Sequence, residues 1–460
     1  MLQVSDIAVD RGGRAVLREV DFDLMSGEVV ALTGENGSGK TTMLEACAGI
    51  LPLSEGSVNR LSESGKMQIL RDHEGRRNQP PPTGLTLQRD GICGEETVEE
   101  RLEVSLSVAG RSMLEPTATD VLRLWSLEHR RADRVAQLSG GQRRRLAVLC
   151  GLAPAALSAE PTVILLDEPS EGLDRAGKEL LIGWMRALAE DGHSVMVATH
   201  DQAVIDCSDR VMEVGSGTLR ESEGKSEGIA SVLPEPLPPV PQSTHRALVR
   251  WAIKMETRNP LDTIGRAAPA LVALLLSYAL VGEVDMTHVG SDMVAALVLA
   301  PAFITAVISP ALIRRLAEER CGAWWVAMIG PSARHTYSLI GASIILPLPI
   351  TYLAWAVLVD PSDFVSHSEV TRWLWLPALV IIDIAAAAAA LHLLVADLRR
   401  ASAAAASLLL LVLVWPFLQL TDALSLMMSD GMSFGLGMGD PLTSCIIASV
   451  ISASVWAVAV

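Results

Sequence analysis

Eight consecutive residues near the start of the chain have the types and spacing to hold a phosphate group. Gly34-Glu35-Asn36-Gly37-Ser38-Gly39-Lys40-Thr41 follow the short β-branched run at 29–32 and lead, through Thr42, into a helix-forming stretch. That is the strand–loop–helix setting of G-x-x-x-x-G-K-[ST]. Glycines let such a loop wrap a phosphate with backbone N–H groups, and the helix N-terminus adds positive potential. Lys40 reaches the β/γ oxygens and Thr41 offers its hydroxyl to Mg²⁺. A second chemical element lies over a hundred residues later, where the apolar run 163–166 ends in Asp167-Glu168. Asp167 suits the Mg²⁺ shell, and Glu168 suits a general base on an attacking water.

Placing these groups together requires an alternating architecture. Residues 1–220 interleave short β-branched runs, at 29–32, 163–166 and 194–198, with helix-like segments, the pattern of an α/β domain with a largely parallel sheet. Residues 221–244 turn Ser/Glu/Gly-rich and then Pro-rich (Pro234, Pro236, Pro238, Pro239, Pro241), which predicts an extended, semi-rigid spacer.

Leu138-Ser139-Gly140-Gly141-Gln142, together with the two motifs above, resembles the signature of the ATP-binding-cassette (ABC) family. In order along the chain stand Gln88 of a Q-loop, Glu171-Gly172-Leu173-Asp174 as a D-loop and His200 as a switch histidine. The resemblance covers residues 1–220 and implies a P-loop NTPase fold with a helical subdomain, binding ATP and Mg²⁺. It implies that Gln88 joins the metal site and that Ser139 and Gly141 contact the γ-phosphate held by the P-loop of a second cassette. Two sites would then form only in a head-to-tail dimer. Glu168, Gln88 and His200 are all intact, which favours a homodimer, with a heterodimer as the alternative. Where the family stacks an aromatic residue on adenine, this chain has Arg11. Its guanidinium either packs on the base or is a solvated charge beside Gly12-Gly13.

The second half differs in character. Half of the 460 residues are hydrophobic and mean hydropathy is +0.35, yet residues 245–460 hold only 12 of the 37 Lys and Arg. Six apolar stretches, at about 264–282, 293–313, 338–359, 373–395, 402–421 and 441–460, predict a domain of six transmembrane helices. Eleven of those twelve basic residues fall before the first stretch, at its start (Arg266) or in alternate loops, which predicts both termini in the cytoplasm. Residues 1–20 lack the apolar core of a cleavable secretory signal. The stretch 245–258 places Leu248, Trp251, Ala252 and Met255 on one face, as an interfacial helix under lipid headgroups would.

A cassette ahead of six spans resembles a half-transporter with a type-2 exporter permease, of the G-subfamily or haem-exporter kind. That resemblance implies ATP-driven export of an amphipathic lipid, peptide or small molecule. The other reading is a membrane-anchored ATPase module that energises a partner, as in haem handling, without carrying cargo. Glu318 and Glu319, in the charged stretch 314–320, resemble the coupling element that seats near the Q-loop; a solvated turn is the alternative. Asp383, central in its apolar stretch, faces either substrate and the dimer axis or a neighbouring hydroxyl. Met427, Met428, Met432 and Met438 suit an apolar outer lining better than a copper or haem ligand set. The net charge of -16 and the absence of a basic patch argue against nucleic acid as a partner. Six scattered cysteines form no C-x-x-C pair and read as buried hydrophobes.

Overall fold

The computed structural model describes residues 1–61, 66–114, 117–215, 217–240, 244–258, 260–283, 290–307, 315–316, 318–330, 344–345, 347–358, 385, 388–389, 414, 417–426, 437 and 440–459. Two compact units emerge: Met1–Trp251 with Arg315–Arg334, and Ala252–Arg314 with His335–Val460.

The first unit carries two sheets. Strands β1 (Leu2–Arg11), β2 (Arg14–Leu24), β4 (Glu55–Leu61) and β5 (Met67–Asp72) form an antiparallel sheet in the order β2-β1-β4-β5. The second sheet adds β3 (Val29–Thr33), β6 (Thr83–Thr86), β7 (Val163–Asp167), β8 (Ser194–Ala198), β9 (Arg210–Gly215) and β10 (Thr218–Glu223) in the order β10-β9-β3-β8-β7-β6. Only its outermost pair, β9 and β10, is antiparallel. Residues Val29–Leu32, Val163–Leu166 and Ser194–Ala198 are wholly buried, because helices cover both faces of a parallel sheet.

Those helices are α1 (Lys40–Cys47), α2 (Val98–Val108), α3 (Thr117–Leu124), α4 (Gly140–Ala156), α5 (Arg175–Glu190) and α6 (Gln202–Asp206). Trp125 and Trp184 meet edge-to-face at 5.5 Å inside their core. Caps set the boundaries: Thr97 and Glu100 form a capping box on α2, and the Asp174 carboxylate accepts from Gly177 N on α5. All six cysteines are free and buried.

The expected spacer at 221–244 is instead a strap along this unit. Ser231 N donates to Gly183 O, Leu237 N to Leu157 O and Val240 N to Gly110 O, while the buried Arg111 donates to Leu237 O and Ser158 Oγ. The prolines keep the segment extended, but its remaining amides find carbonyls on α2, α4 and α5. The next helix, α7 (Thr244–Thr257), also departs from its expected place under lipid headgroups. Leu248 and Trp251 are buried, and Trp251 Nε1 donates 2.9 Å to Glu96 Oε1. The apolar face of α7 is satisfied by protein.

In the second unit, α8 (Pro260–Glu283) and α9 (Ser291–Val307) pack with the helix Pro347–Leu358. The helix Pro441–Ala459 ends the described chain. Among the described residues, no helix is long and apolar enough to cross a membrane. None of the six expected spans is thus shown among these residues: α9 has 17 residues and Pro347–Leu358 has 12, while most of 373–395 and most of 402–421 lie outside the described residues. Proline inside α8 and α9, at Pro269 and Pro301, removes an amide donor from each.

His193, just before β8, is buried and accepts from Thr162 N–H at Nδ1 over 3.0 Å. Burial holds its imidazole below the usual 6.5. The folded state therefore resists a proton that the unfolded chain takes up, so this contribution to stability is full above 6.5 and is lost as pH falls below it. We expect the Tm of the purified chain to drop from about pH 7.5 to about pH 5.5, and the drop to be shallower in His193→Asn. Parallel pH profiles for the two proteins would remove His193 as the cause.

Candidate active site

The site is assembled where three strand ends stand level. Ala198, last in β8, pairs with Leu32 of β3 on one side and with Asp167 of β7 on the other. The loop leaving β3, the acid pair leaving β7 and Thr199-His200 leaving β8 therefore open at one sheet edge, the C-terminal edge where α/β sheets bind ligands.

The loop has the backbone that its glycines predict. Gly34 has φ +135, and a Cβ there would stand 2.4 Å from Val214 O. Gly39 caps α1 with φ 115. Asn36 and Gly37 are exposed, and Thr42 is buried at the base of the helix. Lys40 is buried, and its Nζ donates to Gly34 O (2.8 Å) and Glu35 O (3.1 Å), carbonyls of its own loop. Thr41 Oγ1 donates to Asp167 Oδ1 at 3.3 Å, which joins the loop to β7.

Glu168 adopts φ 47, and its N–H is held by Ala198 O at 2.8 Å. A left-handed non-glycine residue costs about 1–3 kcal/mol and persists only where its surroundings impose it. His200, 70% exposed at the side chain, places Nδ1 2.9 Å from Glu168 Oε2. That approach is off the line of a hydrogen bond. Ser38 Oγ, Asp167 Oδ2 and Glu168 Oε2 are buried oxygens with no hydrogen-bond partner among the described residues. Hard oxygen donors left open beside an anion-binding loop fit Mg²⁺ and a nucleotide phosphate. Thr41 and Asp167 would hold the metal, whose charge draws electron density from the phosphate, and Glu168 would take the proton of an attacking water. Burial, reinforced by Glu168 and Glu45, pushes the Asp167 carboxyl up to about 6 against the opposing pull of Thr41 and Arg144.

Sequence reasoning missed Arg144. Lying one turn into α4 it reads as one of three surface arginines, but it is 5% exposed and its guanidinium forks across the site. Nη2 donates to Asp167 O and Glu168 O at 2.6 and 2.7 Å, and Nη1 to Leu87 O (2.9 Å), Gln88 O (3.4 Å) and Asp90 Oδ1 (2.8 Å). One side chain thus fixes the Q-loop backbone to the acid pair. Gln88 itself is exposed at the mouth.

Leu138 anchors the signature in the core while Ser139 and Gly140 are exposed. Ser139 and Gln142 form a capping box, so the Ser139 hydroxyl satisfies its own helix and the remaining first-turn amides of a 17-residue helix point outward. Gly141 packs closely on Gly172 O, where a Cβ would stand at 3.1 Å. Asp174 is gripped by Arg145 Nη2 at 2.6 Å, which holds its carboxyl below the usual range and ties the D-loop to α4.

The stretch 315–330 belongs to this unit, although in sequence it is bracketed by the other. Glu318 Oε2 accepts from Gly94 N at 3.4 Å, and Arg315 bridges Glu318 (2.6 Å) and Glu95 (3.3 Å). Glu319 differs from expectation: its carboxylate is exposed, and its backbone carbonyl takes Gly91 N at 3.0 Å. Trp324 lies under the Arg101 guanidinium at 3.8 Å, and Arg101 faces the buried Glu96 at 3.8 Å. Burial raises the Glu96 carboxyl, with Arg101 opposing. Neither Glu96 nor Arg101 is marked by sequence, since charges near a helix start ordinarily face water. Arg11 is exposed and ion-pairs with Glu45 of α1. Asp383 and the four loop methionines lie outside the described residues.

Glu168→Gln should lower kcat for ATP at least about 100-fold while leaving nucleotide binding intact, measured by steady-state turnover and nucleotide titration. Turnover within about tenfold of the parent would remove Glu168 from the base role. Arg144→Lys places one ammonium where a fork served several carbonyls, so unfolding in urea should show about 2 kcal/mol lost and kcat should fall with it.

Comparison with known proteins agrees with this geometry. Residues 17–171 match the ABC transporter family. The chain is 31% identical over 229 residues to the taurine import ATP-binding protein TauB of Escherichia coli O157:H7, covering 48% of this chain and 83% of that one. It is 30% identical over 209 residues to the lipoprotein-releasing system ATP-binding protein LolD of Francisella tularensis, covering 45% and 87%. It spans 60% of the sulfate/thiosulfate import ATP-binding protein CysA of Bacillus cereus, at 31% identity over 48% of this chain. Among solved structures, a dimeric post-hydrolysis ATP-binding cassette bound to ADP and Pi matches 50% of this chain and all of its own at 25% identity, with a TM-score of 0.42. The chain belongs to the ABC transporter family, and its N-terminal half is an ABC ATPase domain, a site for ATP with Mg²⁺.

Proposed function

We propose that the chain is a half-transporter that works as a dimer, with the second unit as its membrane part and ATP hydrolysis in the first unit driving export of an amphipathic cargo. The observation that carries this reading is the stretch 315–330. Chain that leaves the helical unit and returns to it lies, in between, on Gly91 and Gly94, directly after Gln88. The stretch is part of the ATPase unit, although the chain on either side of it belongs to the other.

Membrane embedding is supported by the pattern of burial within the second unit. On α8, Ala267, Ala270, Leu274 and Ser277 are buried, while Leu271, Val272, Leu275, Leu276 and Leu280 are exposed. On Pro441–Ala459, Cys445, Ala448 and Ser452 are buried while Ile446, Ile447 and Val450 are exposed. Small residues inside and large aliphatic ones outside invert the soluble pattern and suit lipid contact. The dimer is supported by the exposed signature turn at Ser139 and Gly140, where the N-terminus of α4 opens and suits the γ-phosphate held by a second copy.

The test is reconstitution of the purified chain alone in lipid vesicles, with a fluorescent short-chain phospholipid and an amphipathic dye as probes. ATP-dependent movement of a probe out of the ATP-facing leaflet, lost in Glu168→Gln, is the expected result. Movement only with an added partner protein would favour an energising module instead. Glu318→Lys, which sets a cation against the Gly94 N–H and the Arg315 guanidinium, should keep basal ATPase within about twofold and abolish its stimulation by a probe. Undiminished stimulation would refute the coupling role of Glu318.

A further inference from the structure

Glu45 is a carboxylate where one is least expected. It lies on α1 five residues after Lys40, about 7.5 Å along the helix axis, and its side chain has no exposure at all. A buried charge of this kind must be compensated. Two cations do so from different parts of the chain: Arg11 at the end of β1 pairs with Oε2, and Arg320 of the stretch 315–330 pairs with Oε1.

Arg320 is held in place by unusual backbone. Glu319 and Arg320 have φ 44 and 63, left-handed conformations at two successive non-glycine residues, and Gly91 N fixes the Glu319 carbonyl at 3.0 Å. Three consecutive residues therefore touch both functional loops: Glu318 and Glu319 touch the segment after Gln88, and Arg320 touches the P-loop helix.

We propose that Glu45 is a positioning residue that makes nucleotide affinity depend on Arg320. With Arg320 seated, two guanidinium groups outweigh the one buried carboxylate, and the cluster adds a net positive charge to the N-terminal potential of α1. With Arg320 withdrawn, Glu45 and Arg11 cancel and that attraction is lost, less than a Debye length from the ligand in an interior that screens poorly. Whatever moves 318–320 then sets how tightly the cassette holds ATP. The inference rests on Gly34–Thr42 being the ATP site.

The experiment uses the full chain in the Glu168→Gln background and measures MgATP affinity by displacement of a fluorescent ATP analogue. If the site reading is wrong, that background itself fails to bind, which separates the two failures. Arg320→Ala should weaken binding about three- to tenfold, and more at low salt than at high salt. Adding Glu45→Gln restores the charge balance and should bring affinity back to within about twofold of the background. Arg320→Lys should keep it. A stretch that has merely come loose would bind weakly in both the single and the double variant; that result, or unchanged affinity in Arg320→Ala, overturns the proposal.

Discussion

The levelling of three strand ends at Ala198 is the constraint on which the site depends. β8 lies between β3 and β7, so one residue pairs with Leu32 on one flank and Asp167 on the other. The phosphate loop and the acid pair, far apart in sequence, emerge side by side for that reason alone. A parallel sheet puts all its C-terminal ends on one edge, and helix N-termini follow there with their unpaired amides. The strained Glu168 is a consequence, since its N–H is claimed by Ala198 O before its side chain turns to the cleft.

Around that edge, guanidinium groups do the fastening. Arg144 joins the Q-loop carbonyls to those of Asp167 and Glu168, Arg145 joins the D-loop to the same helix, and Arg101 lies between Glu96 and the Trp324 ring. A planar guanidinium offers five donors in fixed directions and is hydrated more weakly than an ammonium, so it can be buried against several carbonyls or an aromatic face. Buried ionic groups are poor stabilisers relative to a well-packed apolar core. Here they tie loops that bear chemistry to each other and to the stretch 315–330.

The second unit follows another packing rule. On α8 and on Pro441–Ala459 the buried residues are mostly alanine, serine and cysteine with leucine, isoleucine and valine turned outward, whereas α9 buries Val294, Val298 and Leu299. Hydroxyls supply local ties, as where Ser425 pairs with Ser291 and with Asp292. Close backbone approach through small side chains gains dispersion contacts.

The phosphate loop, the acid pair, the signature and the α/β alternation were legible from the chain alone because each is a local pattern. Glycines at fixed offsets, an apolar run ending in carboxylates and a serine opening a helix act within a turn or two of themselves. The Pro-rich strap was misjudged because composition reports extension and says nothing of which distant carbonyls the amides will find; Leu237 N on Leu157 O is a tertiary fact. Trp251 was assigned to a lipid surface for the same reason, since an apolar helix face does not name its partner. Arg144, Glu45, Glu96 and Arg101 carry no local signal of burial, and only folding decided it. The work of desolvating an ion is met by partners 5 to 275 residues away in the chain, from Arg101 beside Glu96 to Arg320 on Glu45, and local spacing does not encode such pairings.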